Sequence, residues 1–366
     1  MQQSKRLSKT PGTQAASGRF WGLFAATLAL TPMAARAAPS LDAYALSAGG
    51  NSRFGVIPGF PFSCSTFGPD TSAAIYRGGA GVGLPSDGSV CGVATDRRTI
   101  SGVAGPVQVA SSLAVGFGPP TDLRSFVGSS AGRAAYGNLG VSAAASYGGN
   151  SDSGTVSGSQ AGARQVETMT FAGASGTGTY RPTFTIDGSF FGVGRTYSEI
   201  DFGYAAGTGS NYLAFRLLNA YGTLSLIANG GYQTSLPGMA ITGDAATGYT
   251  VSGSTTFAFD VPITFGVPLD IAYMMWAVVL PGSSTGLLSG SSGNVSFLST
   301  ARLTGIQVYD NAGQALNTFS VSAVSGTLYG PGGVVAVPEP ASWALMAVGL
   351  AALGLRRNTG SRCAGC

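Results

Sequence analysis

The sequence predicts an all-β protein: a β-sandwich of jelly-roll type, flanked by an N-terminal signal helix and a C-terminal transmembrane helix. Three observations lead there. Apolar and polar residues alternate with period two in several long stretches. Glycine (58) and proline (18) make up about a fifth of the 366 residues, a turn-rich composition short of the roughly 25–30% that marks low complexity. Between the two end segments no apolar stripe of helical spacing runs for ten or more residues. With 44% hydrophobic and 10% aromatic residues, the chain can bury a sizeable core.

Residues 1–37 read as a secretory signal. A cationic start (Lys5, Arg6, Lys9, Arg19) precedes the apolar "FWGLFAATLAL". Ala35 and Ala37 then supply the small side chains that a signal peptidase needs, placing cleavage after Ala37. An uncleaved anchor is the alternative, disfavoured by Pro32 and the short apolar core. No twin-arginine pair precedes that core, which points to the general export route.

Residues 38–130 show little periodicity and are expected to form short strands and long loops. Cys64 and Cys91 fall here. In an oxidising compartment a disulfide is the favoured reading, and closing such a loop contributes about 3 kcal/mol; two buried thiols are the alternative.

Residues 131–330 carry the sharper alternation and are read as the sandwich domain. In "TYRPTFTIDGSF" Tyr180, Pro182, Phe184 and Ile186 share one face. In "FAFDVPITFGVPLDI" eight apolar residues alternate from Phe257 to Ile271, with Asp260, Thr264 and Asp270 opposite. One such face meets a core and the other water. Pro262 and Pro268 fall on the outer face, which predicts an edge strand or two strands joined by a bend. "ARLTGIQVYDNAGQALNTFSVSAVSG" reads as strand, turn, strand, with Asp310-Asn311-Ala312-Gly313 as the turn.

Residues 331–337 are a linker, and the chain then changes character. Pro338-Glu339-Pro340 must be extended, because each proline denies helix to the residue before it. An uncharged run from Ala341 to Leu355 follows, about 22 Å long as a helix against a hydrocarbon core of about 30 Å. Trp343 suits an interfacial position, and Arg356 and Arg357 form a cytoplasmic stop. Residues 358–366 are a cytoplasmic tail, in which Cys363 and Cys366 read as free thiols.

Charge is unevenly spread. Five of the 19 basic residues lie in 1–37, where there is no acid, and three arginines lie beyond residue 338 against Glu339 alone. The region between has eleven arginines, fourteen acids and no lysine. It lacks the basic stripe of a nucleic-acid-binding domain, so no nucleic-acid partner is expected.

The chain has no histidine, which excludes Ser-His-Asp and Cys-His nucleophiles and histidine-ligated zinc. The lack of lysine after Lys9 removes Schiff-base chemistry from the exported part. Carboxylates remain. Glu199 and Asp201 would share a strand face, an arrangement that could suit a glycoside hydrolase, although a solvated face with Ile200 and Phe202 pointing inward is the plainer reading. Asn150 and Asp152 lack the further acids of a calcium loop. "GGAGVG" at 78–83 lacks the strand and helix of a phosphate loop. Tyr197, Tyr204, Tyr212, Tyr232 and Tyr249 could stack on sugar rings, or could fill the core. We expect no catalytic residue, metal or cofactor.

The ordered ending Pro338-Glu339-Pro340, apolar run, Arg356-Arg357 (residues 338–357) resembles the PEP-CTERM sorting signal. The resemblance implies recognition and cutting by an exosortase, transient anchoring in the inner membrane, and delivery to the cell surface or the extracellular matrix. The extension "NTGSRCAGC" departs from the usual short end of such signals. Segments "AAYGNLGVSAAASYGG", "RQVETMTFAG", "FTIDGSF", "VSFLSTARLTGIQVYDNAG" and "VSGTLYG" are similar to uncharacterised PEP-CTERM surface proteins. They imply a shared β domain and bring no catalytic residues. The expected function is a non-enzymatic surface or biofilm-matrix protein acting by display or interaction. Binding of exopolysaccharide is the alternative, and a carboxylate-dependent hydrolase the lesser one.

Overall fold

A computed structural model describes residues 38–49, 94–117, 120, 123–149, 158–194, 196–206, 209–218, 223–228, 231–233, 238–244, 246–281 and 290–335. All of these belong to the second of two units, residues 36–366. Every regular element among them is a strand. The expected terminal helices, Cys64, Cys91, Asn150, Asp152 and residues 78–83 lie outside the described residues.

In chain order the strands are β1 (Ser40–Gly49), β2 (Ala94–Gly102), β3 (Val107–Phe117), β4 (Arg124–Ala135), β5 (Asn138–Gly148) and β6 (Gly158–Ala172). Next come β7 (Thr177–Val193), β8 (Thr196–Ala206), β9 (Gly209–Leu218), β10 (Thr223–Ala228), β11 (Gly231–Gln233), β12 (Met239–Asp244) and β13 (Gly248–Ala258). Last are β14 (Val261–Thr264), β15 (Leu269–Pro281), β16 (Ser291–Tyr309), β17 (Ser320–Ala323), β18 (Tyr329–Gly330) and β19 (Gly333–Val334).

They form two antiparallel sheets. The first has eleven strands in the order β11-β10-β9-β8-β15-β6-β17-β18-β19, with β1 also on β6 and β2 on β1. The second has eight, in the order β12-β13-β7-β16-β5-β4-β3, with β14 also on β7. The sheets stack face to face: β1 lies over β3 and β4, β6 over β4 and β5, β15 over β5 and β16, and β8 over β16 and β7. This is a β-sandwich. A jelly roll is built from eight strands in two Greek keys, whereas here β3-β4-β5 and β8-β9-β10-β11 run as meanders within sheets of eight and eleven strands.

Within 38–130 the described residues include long strands. β1, β2 and β3 are ten, nine and eleven residues long, and β1 pairs along β6, from Ser40 opposite Val166 to Ala48 opposite Gly158.

The core is graded in side-chain size. Around β7, β8, β13 and β15 it is aromatic. Phe184 stands 4.8 Å from both Phe202 and Tyr273, and Phe257 stands 5.0 Å from Phe202, measured between ring centroids. Burying each such ring contributes about 1.5–3 kcal/mol. Between β1, β4, β5 and β6 many of the fillers are small: Ala43, Ala134, Ala143, Ala145, Ala161 and Ala163 are buried beside Leu41, Phe126 and Leu139. There the sheets approach closely. A methyl group on Gly132 would stand 2.6 Å from the carbonyl oxygen of Gly162 and 2.9 Å from that of Tyr44, so glycine is required.

The alternation read in β7 holds, with Tyr180, Pro182, Phe184 and Ile186 all buried. The long apolar run breaks into three strands. Phe259, Val261, Ile263 and Phe265 stay buried, but Val267 is 53% exposed in the turn opened by Gly266 at φ 75°. β14 pairs only with β7, and the exposed Pro262 sits on it, as a proline on an edge strand should. The Asp310 turn forms, with Gly313 at φ 75° and its N–H donating to the carbonyl of Asp310 at 3.0 Å. The expected second strand does not follow directly. Ala315 makes a single bridge to Tyr309, and β17 then pairs with β6 in the other sheet.

Candidate functional site

Three places hold the candidate chemistry, beginning with the outer face of the first sheet. On β8, Ile200 and Phe202 point into the sandwich as expected and are fully buried. Glu199 and Asp201 share the opposite face, also as expected, but that face is not solvated. Glu199 is 2% and Asp201 3% exposed, which corrects the reading of an open polar surface. Both faces of β6, β8 and β15 are buried along almost their whole length. Asp201 registers opposite Trp276 and Glu199 opposite Val278 of β15; on the other side Glu199 registers opposite Arg216 of β9. The Tyr197 hydroxyl donates to the Glu199 carboxylate.

The same face continues across β6 and β1. Arg164 donates to Oδ2 of Asp42 through Nε at 3.0 Å and Nη2 at 2.7 Å, and the two side chains are only 7% and 9% exposed. Gln160 Nε2 donates to the Tyr44 hydroxyl at 2.5 Å. The Tyr44 ring lies against Gly162, whose missing side chain leaves it room. A carboxylate pair that turns over a polysaccharide must be reached by it. Glu199 and Asp201 are shut in.

The second place is a polar cavity of about 400 Å³ at the β2, β3 and β4 edge. Ser111, Ser112, Ser129 and Ser130 line it together with Asp96 and Arg98. Asp96 is held by the Ser112 N–H at 2.9 Å and by Arg98 Nε at 3.2 Å.

Of the five candidate tyrosines, the side chains of Tyr212 and Tyr232 lie outside the described residues, and the other three do not share one face. Tyr204 is buried in the inner face against Phe259, 4.6 Å between centroids, and burial raises its hydroxyl pKa. Tyr197 is on the outer face of the first sheet, and Tyr249 is in the second sheet. Deeper in the core, burial pushes the Tyr180 and Tyr273 hydroxyls far up, and Tyr273 donates to Tyr180 at 3.0 Å. Among the described residues no group of three or more His, Cys, Asp or Glu could hold a metal ion.

The third place is the corner formed by the arm 320–335 on β6. Glu167, fully buried, accepts from the N–H of Ser325 at 3.1 Å, from the N–H of Thr168 at 3.0 Å and from the Ser325 hydroxyl. That ties the arm 320–335 to β6. Burial, with the negative charge of Glu167 and then of Asp42 nearby, pushes the Tyr136 hydroxyl up to about 12. The arm closes with the Val335 N–H donating to the carbonyl of Leu328 at 2.8 Å. Nothing in the sequence pattern singled out Glu167, Asp42 or Arg164, because isolated charges on a strand look like solvent positions.

The next residue begins a segment of known kind. Residues 336–358 match the PEP-CTERM protein-sorting motif. The chain carries a PEP-CTERM sorting signal. That motif contains Pro338, Glu339, Pro340, Arg356 and Arg357, which lie outside the described residues, as do Ala35, Ala37, Cys363 and Cys366. A PEP-CTERM motif implies exosortase-dependent sorting of an exported protein. No curated protein matches the chain, and no solved structure matches it.

Proposed function

We propose that this protein is an exported, non-enzymatic component of the cell surface or extracellular matrix, acting by display or interaction. Its signal peptide is cut after Ala37. The apolar run 341–355 holds it in the inner membrane until an exosortase cuts near Pro338-Glu339-Pro340. Cys64 and Cys91 form its disulfide. The observation that carries the reading is the sorting motif itself, at residues 336–358. Burial of Glu199 and Asp201 supports a non-catalytic role. Deleting residues 338–366 should move the protein from the membrane fraction to the periplasm or medium. Unchanged fractionation defeats the sorting reading.

Binding of exopolysaccharide is the second reading, and the serine-lined cavity beside Asp96 and Arg98 now favours it over the scattered tyrosines. Its hydroxyl and charged groups could hydrogen-bond a sugar. Retention on polysaccharide affinity gels that Asp96→Ala abolishes is the expected result; no retention on any polysaccharide discards it.

A further inference from the structure

We propose that the corner formed by Val103, Val324, Leu328 and Val335 is a bilayer-contacting surface, pressed on the lipid headgroup region while the sorting tail is still attached. The inference rests on the membrane-held tail described under Proposed function.

Four apolar side chains lie open at this corner. Val103 is 65%, Val324 63%, Leu328 53% and Val335 49% exposed. They are neighbours in the fold. Val335 is hydrogen-bonded to Leu328, and the turn that closes with the Gly326 N–H donating to Ala323 joins Val324 to Leu328. The β4–β5 turn brings in Val103: the Tyr136 hydroxyl donates to the carbonyl of Val103 at 3.5 Å, and Gly137 abuts Val334.

The chain's own geometry says what meets this patch. Only residues 336–340 separate Val335 from the apolar run that begins at Ala341. Fully extended, those six steps span at most about 20 Å. The headgroup layer occupies about 5–8 Å of each leaflet. Val335 therefore stays within roughly 15 Å of the lipid surface, less than the width of the domain. The segment 311–338 contains no charged residue, so its approach to the bilayer costs no ion desolvation. The N-terminal side agrees. Ser40, which opens β1, pairs with Val166, and the Val324 N–H donates to Thr168, two residues farther along the same edge of β6. The start of β1 and the arm 320–335 thus dock beside one another on β6. Exposed apolar side chains on such a corner can enter the headgroup and acyl boundary.

The test reconstitutes the full chain, with no other protein, into vesicles of phosphatidylethanolamine and phosphatidylglycerol that include a photoactivatable diazirine phospholipid. Crosslinked chymotryptic peptides are mapped by mass spectrometry. Lipid adducts on both the tail after Trp343 and the peptide 320–329 are expected, with far fewer on the peptide 250–257 of β13, next to the far edge of the second sheet. The double variant V324D/L328D, at exposed positions, should lose the corner adducts severalfold while keeping the tail adducts and the parent melting temperature. Adducts on the tail alone overturn the inference and leave the anchor reading intact. Adducts on neither overturn both. Corner adducts that persist in V324D/L328D also overturn it, because they would not depend on the apolar side chains.

Discussion

The buried Asp42–Arg164 pair makes a quantitative prediction. The two residues face each other across β1 and β6, and at 7% and 9% exposure little water screens them. At about 4 Å between charge centres and an effective dielectric of about 20, their attraction is about 4 kcal/mol. Removing both ions from water costs several kcal/mol each, so the pair contributes little net stability. Removing one partner is different, because it strands the other. Asp42→Ala leaves a buried guanidinium, and Arg164→Met leaves a buried carboxylate, whose other side-chain contact is the Ser40 hydroxyl at 3.5 Å. Each single change should cost about 3–5 kcal/mol. The double change D42L/R164M should fall within about 1 kcal/mol of the parent or exceed it. Arg164 Nη1 has no partner even in the intact pair, which tilts the outcome toward gain. Urea denaturation of the detergent-solubilised chain, followed by far-UV circular dichroism, measures all four corners of the cycle. If Asp42→Ala costs less than about 1 kcal/mol, as an exposed pair would, the covered-face argument fails. It fails equally if the double variant loses the sum of the two singles.

Gly132→Ala should destabilise by about 1–3 kcal/mol, because its methyl group meets the backbone of the opposing sheet; Gly116→Ala, whose methyl would stand 3.7 Å from the Arg124 carbonyl oxygen, serves as the denaturation control. Glu167→Gln should loosen the C-terminal arm, read as faster amide exchange over 320–335 with exchange in β15 unchanged. The Arg181 hydrogen bonds hold the Asp260 carboxyl below its usual range, so this pair stabilises the fold at pH values above the unfolded carboxylate value of about 3.9. That contribution disappears as pH falls through the lowered folded-state value. The side chains are 40% and 55% exposed, so the effect is small, up to about 1 kcal/mol. Thermal melts of the parent and Arg181→Met should differ at about pH 6 and converge near pH 2.

β7 was legible because it is half-buried: Tyr180, Phe184 and Ile186 face the core while Arg181, Thr183 and Thr185 stay partly open, and that is the condition under which period two appears in a sequence. β6 and β8 were not legible for the opposite reason. Both of their faces are covered, yet one carries Gln160, Arg164, Glu199 and Asp201. Charges at such positions imitate a wet face, and only their partners show otherwise: Arg164 on Asp42 comes from β1, 122 positions earlier in the chain. Long-range pairing of this kind leaves no local trace. The sorting segment is the contrary case. Its prolines, apolar run and arginines lie within about twenty residues, so composition and order alone identify it.

That separation between local signal and long-range fold leads to a prediction about removing the tail. Among the described residues, the hydrogen bond nearest the sorting motif is made by the Val335 N–H, three residues before Pro338. Upstream, Ile306 donates to the Pro331 carbonyl at 3.0 Å and Ser325 is bound to Glu167, so the arm is fastened to both sheets by residues that a cut near Pro338 leaves in place. A chain ending at Val337 should therefore melt at the temperature of the intact one while losing its membrane retention. A fall in melting temperature on that truncation would mean that residues 338–366 stabilise the sandwich. The tail would then be part of the fold, and a change in fractionation could no longer be assigned to sorting alone.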